Sequence, residues 1–227
     1  TGNRDGINFV RDAGIIAPGP YVTGVLIDNN TISTNTRDGV SLTSAFADGA
    51  DGYTITNNTI TNNSQNGINL RTVADADMTV FIGQNAAGVA GANLISNNTL
   101  DGIRETATVN ATDVSVFTGT ITNNTITLNK NDGINITGRH HLLVGTPDGV
   151  TKASNLINNN TNDGIFIRAN SNAQTDQIQF NTINNNGGNG ISIQPDGTIS
   201  INIANNIHTV STIGGQFGGI NNNGGAG

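Results

Sequence analysis

The chain has no cysteine and no tryptophan, and only 4% of its 227 residues are aromatic. Without cysteine, neither a disulfide framework nor a thiolate metal site can form. Charged residues are scarce, at 11%, and the 9 basic ones are scattered, whereas nucleic-acid binding needs a clustered positive surface. No apolar run approaches the roughly 18 residues of a membrane-spanning helix. The sequence therefore predicts no nucleic-acid partner and no membrane insertion.

The apolar fraction is also low, at 34%, against roughly 45–50% in ordinary globular domains. Such a composition argues against a thick two-layer core. The net charge is −7 and Gly supplies 30 residues, while Ile, Val and Leu recur at regular intervals. Regular apolar spacing is not typical of disorder, and a thin core built from repeated packing fits it better.

A short phrase recurs along the whole chain: Asp or Asn, then Gly, Ile or Val, any residue, and an apolar residue. Successive copies are 26 to 35 residues apart. Within each copy the apolar residues alternate, which is the strand period, and variable spacing between constant phrases indicates stacked coils with loops of variable length. The copies begin at Asp5, Asp38, Asn66, Asp101, Asp132, Asp163 and Asn189, with a degenerate copy at Gly218.

A second phrase, apolar-x-Asn-Asn-Thr-apolar, precedes most copies of the first. In stacked coils identical side chains lie above one another, so Asn can form a ladder of amide hydrogen bonds along the axis. We expect Asn58, Asn98 and Asn124 to form one such column. Asn and Gly also accept the left-handed backbone of tight turns, which would explain the Asn and Gly content.

These phrases, "NNTI" followed by "NDGINI" above all, resemble the right-handed parallel β-helix repeat family, whose pectate-lyase-like coils are also called carbohydrate-binding and sugar-hydrolase repeats. The resemblance implies an all-β fold: a right-handed single-stranded parallel β-helix of about seven to eight coils, about 34 Å long at the usual strand separation. We expect one domain over residues 1–227, a segment of a longer solenoid or a protomer that associates end to end. Segments 74–93 and 138–154 are expected to be loops on one side of the rod.

In this family the strand that carries the glycine phrase usually lines the substrate groove. Its outward positions here are mostly polar. A carbohydrate-binding site needs hydrogen-bond donors beside an apolar platform, and the alternative is a solvated face with an incidental Phe. The candidate residues for binding a polysaccharide or cell-surface glycan are Arg71, Arg104, Asn135, Phe166 and Arg168.

Catalysis is not expected. Hydrolytic sites need two converging carboxylates, and the one glutamate, Glu105, interrupts an inward apolar pattern. We expect Glu105 to point to water, because an unpaired buried carboxylate is costly. The family's lyases use Ca²⁺ on clustered Asp with an Arg or Lys base. Arg71 adjoins such Asp residues, but the strand face lacks the acids that lyases draw from several coils.

Calcium binding without catalysis stays open as the one possible cofactor. The candidate ligands are Asp48, Asp51, Asp75 and Asp77. The column formed by Asp101, Asp132 and Asp163 would place like charges one strand apart, which is unfavourable. Either these carboxylates cap their own turns or a cation bridges them.

Three further patterns are weaker. His140 and His141 are interpreted as part of a solvated loop. The five Asn-Asn-Thr triplets are formal glycosylation sequons, but an asparagine ladder would occupy their side chains. Pairs such as Thr125 and Thr127 would form an ice-binding array only if consecutive coils repeated them, and the matching pair Thr99–Asp101 interrupts the array.

The sequence thus favours a structural, adhesin-like segment of a bacterial surface or secreted protein, a rigid spacer that presents loops outside the cell. A carbohydrate-binding or polysaccharide-degrading module is the alternative, and ice binding is a third.

Overall fold

The computed structural model describes residues 2–11, 24–45, 50–73, 76–107, 116–146, 154–169, 174–195 and 199–207. Within these ranges the chain forms twenty strands, numbered here in chain order, and no helix. No helix capable of crossing a membrane is therefore found in the described residues.

The strands belong to three sheets. Sheet A contains β1 (Ile7–Arg11), β4 (Val40–Ser44), β7 (Ile68–Thr72), β10 (Ile103–Ala107), β13 (Ile134–Gly138), β16 (Ile165–Ala169) and β19 (Ile191–Pro195). Sheet B contains β2 (Val25–Asp28), β5 (Ala50–Thr56), β8 (Asp77–Ile82), β11 (Phe117–Ile121), β14 (His140–Gly145), β17 (Gln174–Gln179) and β20 (Ile199–Ala204). Sheet C contains β3 (Thr31–Ser33), β6 (Thr59–Thr61), β9 (Leu94–Ser96), β12 (Thr125–Thr127), β15 (Leu156–Asn158) and β18 (Thr182–Asn184).

Every third strand pairs in parallel with its equivalent in the next coil, so each coil adds one strand to each sheet. The described residues form seven coils in this way, with seven strands in sheets A and B and six in sheet C. The expectation of a parallel β-helix of about seven to eight coils is confirmed. Six coil spacings at the usual strand separation make this part of the rod about 29 Å long.

The core is a set of apolar columns that run along the axis. Sheet B contributes Ile27, Ile55, Ile82 and Ile121 in direct register, and sheet C contributes Ile60, Ile95 and Ile126. Nearly all these side chains are fully buried, and burial of each aliphatic side chain is worth about 1.5–3 kcal/mol. The two-residue alternation seen in the sequence is what places them inside.

The two segments expected to be loops are only partly loops. Residues 77–82 form β8 and residues 140–145 form β14, both inside sheet B. The sequence interpretation was wrong because sheet B has no recurrent phrase of its own, and its strands follow connections of variable length after sheet A.

The glycine of the recurrent phrase is required by space rather than by its backbone angle. At Gly133 an added Cβ would lie 2.6 Å from the carbonyl oxygen of Gly164 in the next coil and 2.8 Å from the Asn160 amide nitrogen. Gly133 is not among the positive-φ residues, whereas Asn57, Asn97 and Asn123 adopt φ of 56°, 56° and 59°. Eight of the eleven described non-Gly residues with positive φ are Asn, and the others are Thr34, Leu128 and Phe180. The left-handed turn positions are thus filled mostly by Asn, and Gly133 permits close stacking of successive coils.

Two asparagine ladders run along the rod instead of the single expected column. One lies between sheets B and C and includes Asn58 and Asn124, with Asn93 between them: Asn58 Nδ2 donates to Asn93 Oδ1 over 3.1 Å, and Asn93 Nδ2 to Asn124 Oδ1 over 2.9 Å. The other lies between sheet C and sheet A, where Asn98 donates to Asn129 over 3.0 Å. The placement of Asn98 with Asn58 was therefore wrong, because both corners of the coil use the same Asn-Asn turn.

Candidate functional site

The outward face of sheet A presents two straight columns of side chains, as the alternation of the strands predicts. The first column is Asn8, Ser41, Asn69, Arg104, Asn135, Phe166 and Ser192. The second column is Val10, Thr43, Arg71, Thr106, Thr137, Arg168 and Gln194.

The structure brings the five candidate glycan-binding residues together on this face. Arg104, Asn135 and Phe166 are direct neighbours on consecutive strands. Arg71 and Arg168 lie in the adjoining column, three coils apart, which corresponds to about 14 Å, and both are exposed. Whether these residues bind a glycan stays a prediction.

Local contacts orient two of these side chains. The Arg104 guanidinium lies 3.6 Å from Asp101 Oδ2 and its Nε donates to the Thr106 hydroxyl over 3.4 Å. Asn135 Nδ2 donates to Asp132 Oδ2 over 2.8 Å, and its Oδ1 accepts from the Thr137 hydroxyl over 3.3 Å. The acids just before each strand thus hold the polar side chains of the face in place.

Positive charge is concentrated beside this face. Among the described residues, every Lys and Arg lies in sheet A or in a segment next to one of its strands: Arg4, Arg11, Arg37, Arg71, Arg104, Lys130, Arg139 and Arg168. The described strands of sheets B and C contain none. In a chain of net charge −7, this arrangement gathers the described basic side chains on one side of the rod.

A third polar stack, here called the acidic column, borders sheet A and consists of Asp5, Asp38, Asn66, Asp101, Asp132, Asp163 and Asn189. From Asp5 to Asp163, each Oδ1 accepts the backbone N–H of the equivalent residue one coil further, for example Asp101 from Asp132 over 3.0 Å and Asp132 from Asp163 over 2.9 Å. Of the two alternatives for these carboxylates, capping of their own turns is not what the structure shows, because their Oδ1 atoms connect successive coils.

The three consecutive Asp residues of the acidic column are almost completely buried. Asp101, Asp132 and Asp163 are 0%, 3% and 6% exposed. Desolvation raises the pKa of Asp132 to about 6, with a further upward contribution from the charges of Asp101 and Asp163. Desolvation likewise raises the pKa of Asp101, against hydrogen bonds and Arg104 that lower it.

Glu105 does not point to water. It lies on β10 between Leu70 and Ile136 in an inward column and is fully buried. One carboxylate oxygen accepts the Thr137 backbone N–H over 3.3 Å and the other has no hydrogen-bond partner. Desolvation raises the pKa of Glu105 well above its usual value, because burial favours the protonated form of a carboxyl group. The strand continues through this position.

His140 is also buried, contrary to its interpretation as part of a solvated loop. Its Nδ1 lies 3.1 Å from Asp176 Oδ1 in the next coil, and both residues are 0% exposed. Asp176 Oδ1 also accepts the Leu142 backbone N–H over 2.9 Å. The neighbouring His141 is exposed, so only one of the two histidines belongs to the surface.

Comparison with known proteins agrees with this geometry. A family model described as "Right handed beta helix region" matches residues 2–145. The chain belongs to this right-handed β-helix family. The match also supplies the hand of the coil, which agrees with the predicted one.

One solved structure similar to this β-helix is the A-module of mannuronan C-5 epimerase AlgE4 from Azotobacter vinelandii, with 14% identity and a TM-score of 0.42. The alignment covers 86% of this chain and 58% of that one, so this β-helix spans little more than half of the epimerase module. No curated protein matches the sequence.

The side chains of most predicted calcium ligands lie outside the described part of this β-helix. Asp48 and Asp75 lie outside the described residues, and of Asp51 only the backbone is described. Asp77 Oδ1 accepts the Val116 backbone N–H over 2.9 Å. Among the described residues no group of three or more His, Asp or Glu side chains is placed to hold a metal ion.

The outward face of sheet C differs in one detail from the expected Thr pairs. Thr59 and Thr61 stack on Leu94 and Ser96, not on Thr99 and Asp101. A second Leu, Leu156, follows Thr125. The Thr array is therefore interrupted, as the sequence indicated, although by leucines rather than by an acid.

The sequon asparagines are also placed differently from the expectation. In each Asn-Asn-Thr triplet the second Asn enters a ladder, as Asn58 and Asn98 do. The first Asn, the formal acceptor, is exposed at Asn29, Asn57, Asn97 and Asn159. The ladders therefore do not occupy the acceptor side chains.

The His140–Asp176 pair was not found by sequence reasoning. Its two members are 36 residues apart and neither belongs to a recurrent phrase. The available signal was an inward Asp at a position where the other coils place Val, Tyr, Gly, Leu or Ile, and recognising it required the register of sheet B.

Proposed function

We propose that this β-helix is a rigid structural segment of a surface or secreted protein, which presents its loops along one side and performs no chemistry of its own. The observation that carries the proposal is the use of its polar side chains. Two amide ladders and the acidic column each link successive coils along the described rod. Buried hydrogen-bond networks rigidify a structure when their members are satisfied, as they are in the amide ladders.

The carboxylates support the same proposal. The outward columns of sheet A hold no Asp or Glu at any described position. Asp101, Asp132 and Asp163 are engaged in coil-to-coil hydrogen bonds. A hydrolase requires acids within reach of a bound sugar, and these three acids are instead buried between successive coils.

Rigidity can be measured directly because the chain contains no cysteine. Asn3 and Thr161 are exposed and lie in the same turn, between sheets C and A, five coils apart. Spin labels at Asn3→Cys and Thr161→Cys should give one narrow distance near 24 Å, and the same pair in denaturant should give a broad one. A broad distribution in the native protein, or depolymerisation of a panel of polysaccharides, would overturn the proposal.

A second function, binding of an anionic polysaccharide along sheet A, is favoured by the charge distribution. Arg71 and Arg168 flank the Asn135–Phe166 pair on a face where the described basic residues gather. Arg binds carboxylates through paired N–H donors, and Phe166 offers an apolar surface to a sugar ring. A polyuronate should bind better than neutral dextran, and more weakly as salt increases.

The test compares Arg71→Gln combined with Arg168→Gln against Lys130→Gln, which removes a charge from an exposed turn beside the face. The double variant should weaken polyuronate binding at least about tenfold, since each charged hydrogen bond is worth roughly 1.5–3 kcal/mol. Phe166→Ala should also weaken it, and Lys130→Gln should change little. Equal loss in all three variants, or no binding by the unmodified protein, removes this function.

A further inference from the structure

The acidic column contains three consecutive coils in which nearly buried carboxylates stack directly above one another. Asp101, Asp132 and Asp163 are joined by backbone N–H groups that donate to Oδ1 over 3.0 and 2.9 Å. Because their backbones belong to adjacent coils, the carboxylates are about one strand separation apart. Like charges this close and this shielded from water repel strongly.

Few positive groups relieve this repulsion. Among the described residues, Arg104 contacts the stack at 3.6 Å from Asp101 Oδ2, and Asp101 Oδ2 has no hydrogen-bond partner. Lys130 precedes Asp132 by two residues and is exposed. Arg4 and Arg37 contact Asp5 at the other end of the column, at 3.8 Å. In the described part of the rod, the side-chain hydrogen-bond donors to these carboxylates are the uncharged amides of Asn131, Asn135 and Asn162.

The column itself shows that a neutral side chain satisfies the same position. In the third coil Asn66 Oδ1 accepts the Asp101 N–H over 3.2 Å, while its Nδ2 donates to Asp38 Oδ1 over 2.9 Å. Asn69, three residues later, donates to Asp38 Oδ2 over 2.9 Å. A side chain with one acceptor and one donor therefore links two coils better than a carboxylate, which only accepts. A protonated aspartic acid has this same combination.

We propose that Asp132, which lies between Asp101 and Asp163 in the stack, is a proton-binding site that couples the stability of the rod to acidity, so that its protonation strengthens the contact between the fourth, fifth and sixth coils. The proton converts one carboxylate into a donor and removes a like-charge contact. The rod then holds together more firmly in mildly acidic surroundings than at neutral pH.

The sign follows from the direction of the shift. Burial and the neighbouring charges raise the pKa of Asp132 to about 6 from its ordinary value of 3.8. Below the unfolded value, both states carry the proton and the column imposes no penalty. As the pH rises through the window between these values, the unfolded chain loses its proton first and stability falls.

The main test compares the melting temperatures of two proteins, one with Asp132→Asn and one with the original Asp132. Both also carry Glu105→Leu, so that the second buried acid does not titrate. At neutral pH the Asn variant should melt about 3–6 °C higher, and near pH 4 the difference should disappear. Asp28→Asn is the matched control: that carboxylate is exposed, and hydrogen bonds from Asn57 and Thr56 lower its pKa, so it should show no such gain.

If Asp132→Asn does not fold, a direct titration of the unmodified protein still decides the proposal. Side-chain carboxyl NMR of the unmodified protein should show Asp132 titrating near pH 6. A midpoint below about 4, or an Asn variant less stable than the unmodified protein at neutral pH, overturns the proposal. A rise in melting temperature with Ca²⁺ that Asp132→Asn abolishes would also overturn it, since a metal ion rather than a proton would then be the ligand.

Discussion

The amide ladders and the acidic column both run along this rod, but they solve the stacking problem with different chemistry. In a ladder each Asn accepts through Oδ1 and donates through Nδ2: Asn124 donates to Asn155 over 3.1 Å and to the Ile82 carbonyl over 3.0 Å. The unit is neutral and self-complementary, so the ladder needs no outside partner and carries no dependence on pH.

The acidic column lacks this self-complementarity. A carboxylate only accepts, so Asp101 and Asp132 depend on Asn131 and Asn162, which donate over 2.6 and 2.8 Å. The comparison shows that geometry alone does not select the residue. Where a side chain must donate as well as accept the chain uses Asn, and where neighbours supply the donors it uses either Asp or Asn.

Placing a charge in the neutral ladder should have the largest effect. Asn124→Asp removes the donor to Asn155 and buries a carboxylate, which should cost about 4 kcal/mol of unfolding free energy at neutral pH. The cost should fall in acid, where the protonated group donates again. Urea denaturation at two pH values measures both.

Asn124→Ala is the control for that substitution. It should cost about 3 kcal/mol through unsatisfied neighbours, with no dependence on pH. If the Asp variant were as stable as the unmodified chain at neutral pH, the contrast between ladder and column would be lost.

The next effect concerns Gly133, which lies between the two stacks. An added Cβ would meet the Gly164 carbonyl at 2.6 Å and Asn160 of the ladder at 2.8 Å. Gly133→Ala should cost about 3 kcal/mol by overpacking, measured by urea denaturation.

Gly88→Ala supplies the comparison, since Gly88 has a positive φ of 77° and no heavy atom within 4 Å of its added Cβ. It should cost only about 1 kcal/mol through backbone strain. Equal losses at the two glycines would show that close stacking does not limit this position.

Glu105 is a buried carboxyl group that belongs to neither the amide ladders nor the acidic column, and its replacement should increase stability. Glu105→Leu should raise stability by about 2 kcal/mol at neutral pH, because it removes a buried polar atom without a partner. The gain should shrink toward pH 4 or so, since the raised pKa of Glu105 penalises folding only above the unfolded value. A loss of stability on this substitution would indicate an unseen partner for the carboxyl group.

The smallest effect is expected where Asn serves the turn rather than the ladder. Asn97 is exposed with φ of 56°. Asn97→Ala should cost about 1 kcal/mol and Asn97→Gly almost nothing, because only a Cβ is strained in this conformation. Thermal melting resolves the two, and a large loss for the Gly variant would assign Asn97 a contact that the turn does not explain.

Prediction from sequence worked where one phrase carries one structural role. The outward columns around Arg104, Asn135 and Phe166 follow from the glycine phrase, because a strand that begins at the same residue in each coil keeps the same alternation. Asn98 was misplaced because two corners of the coil use an identical turn, and only the register of Ile95 against Ile60 distinguishes them.

The buried ionisable groups could not be predicted in this way. Glu105 and His140 occupy inward positions where an apolar residue is expected, and the unfavourable energy of burying them argued for exposure. Their burial is decided by the coils on either side, which continue in register through the unfavourable position. The sequence around Glu105 or His140 does not show how strongly the adjacent coils keep the strand in register.

The sequence by itself determined that this chain winds into stacked parallel coils, because recurrent apolar alternation and a small residue at each close approach permit no other regular packing. The tertiary structure alone decided which side chains meet along the axis. Hydrogen bonds between residues 26 to 42 positions apart depend on how much chain each variable connection contains, and that length is settled only when the next coil packs in register.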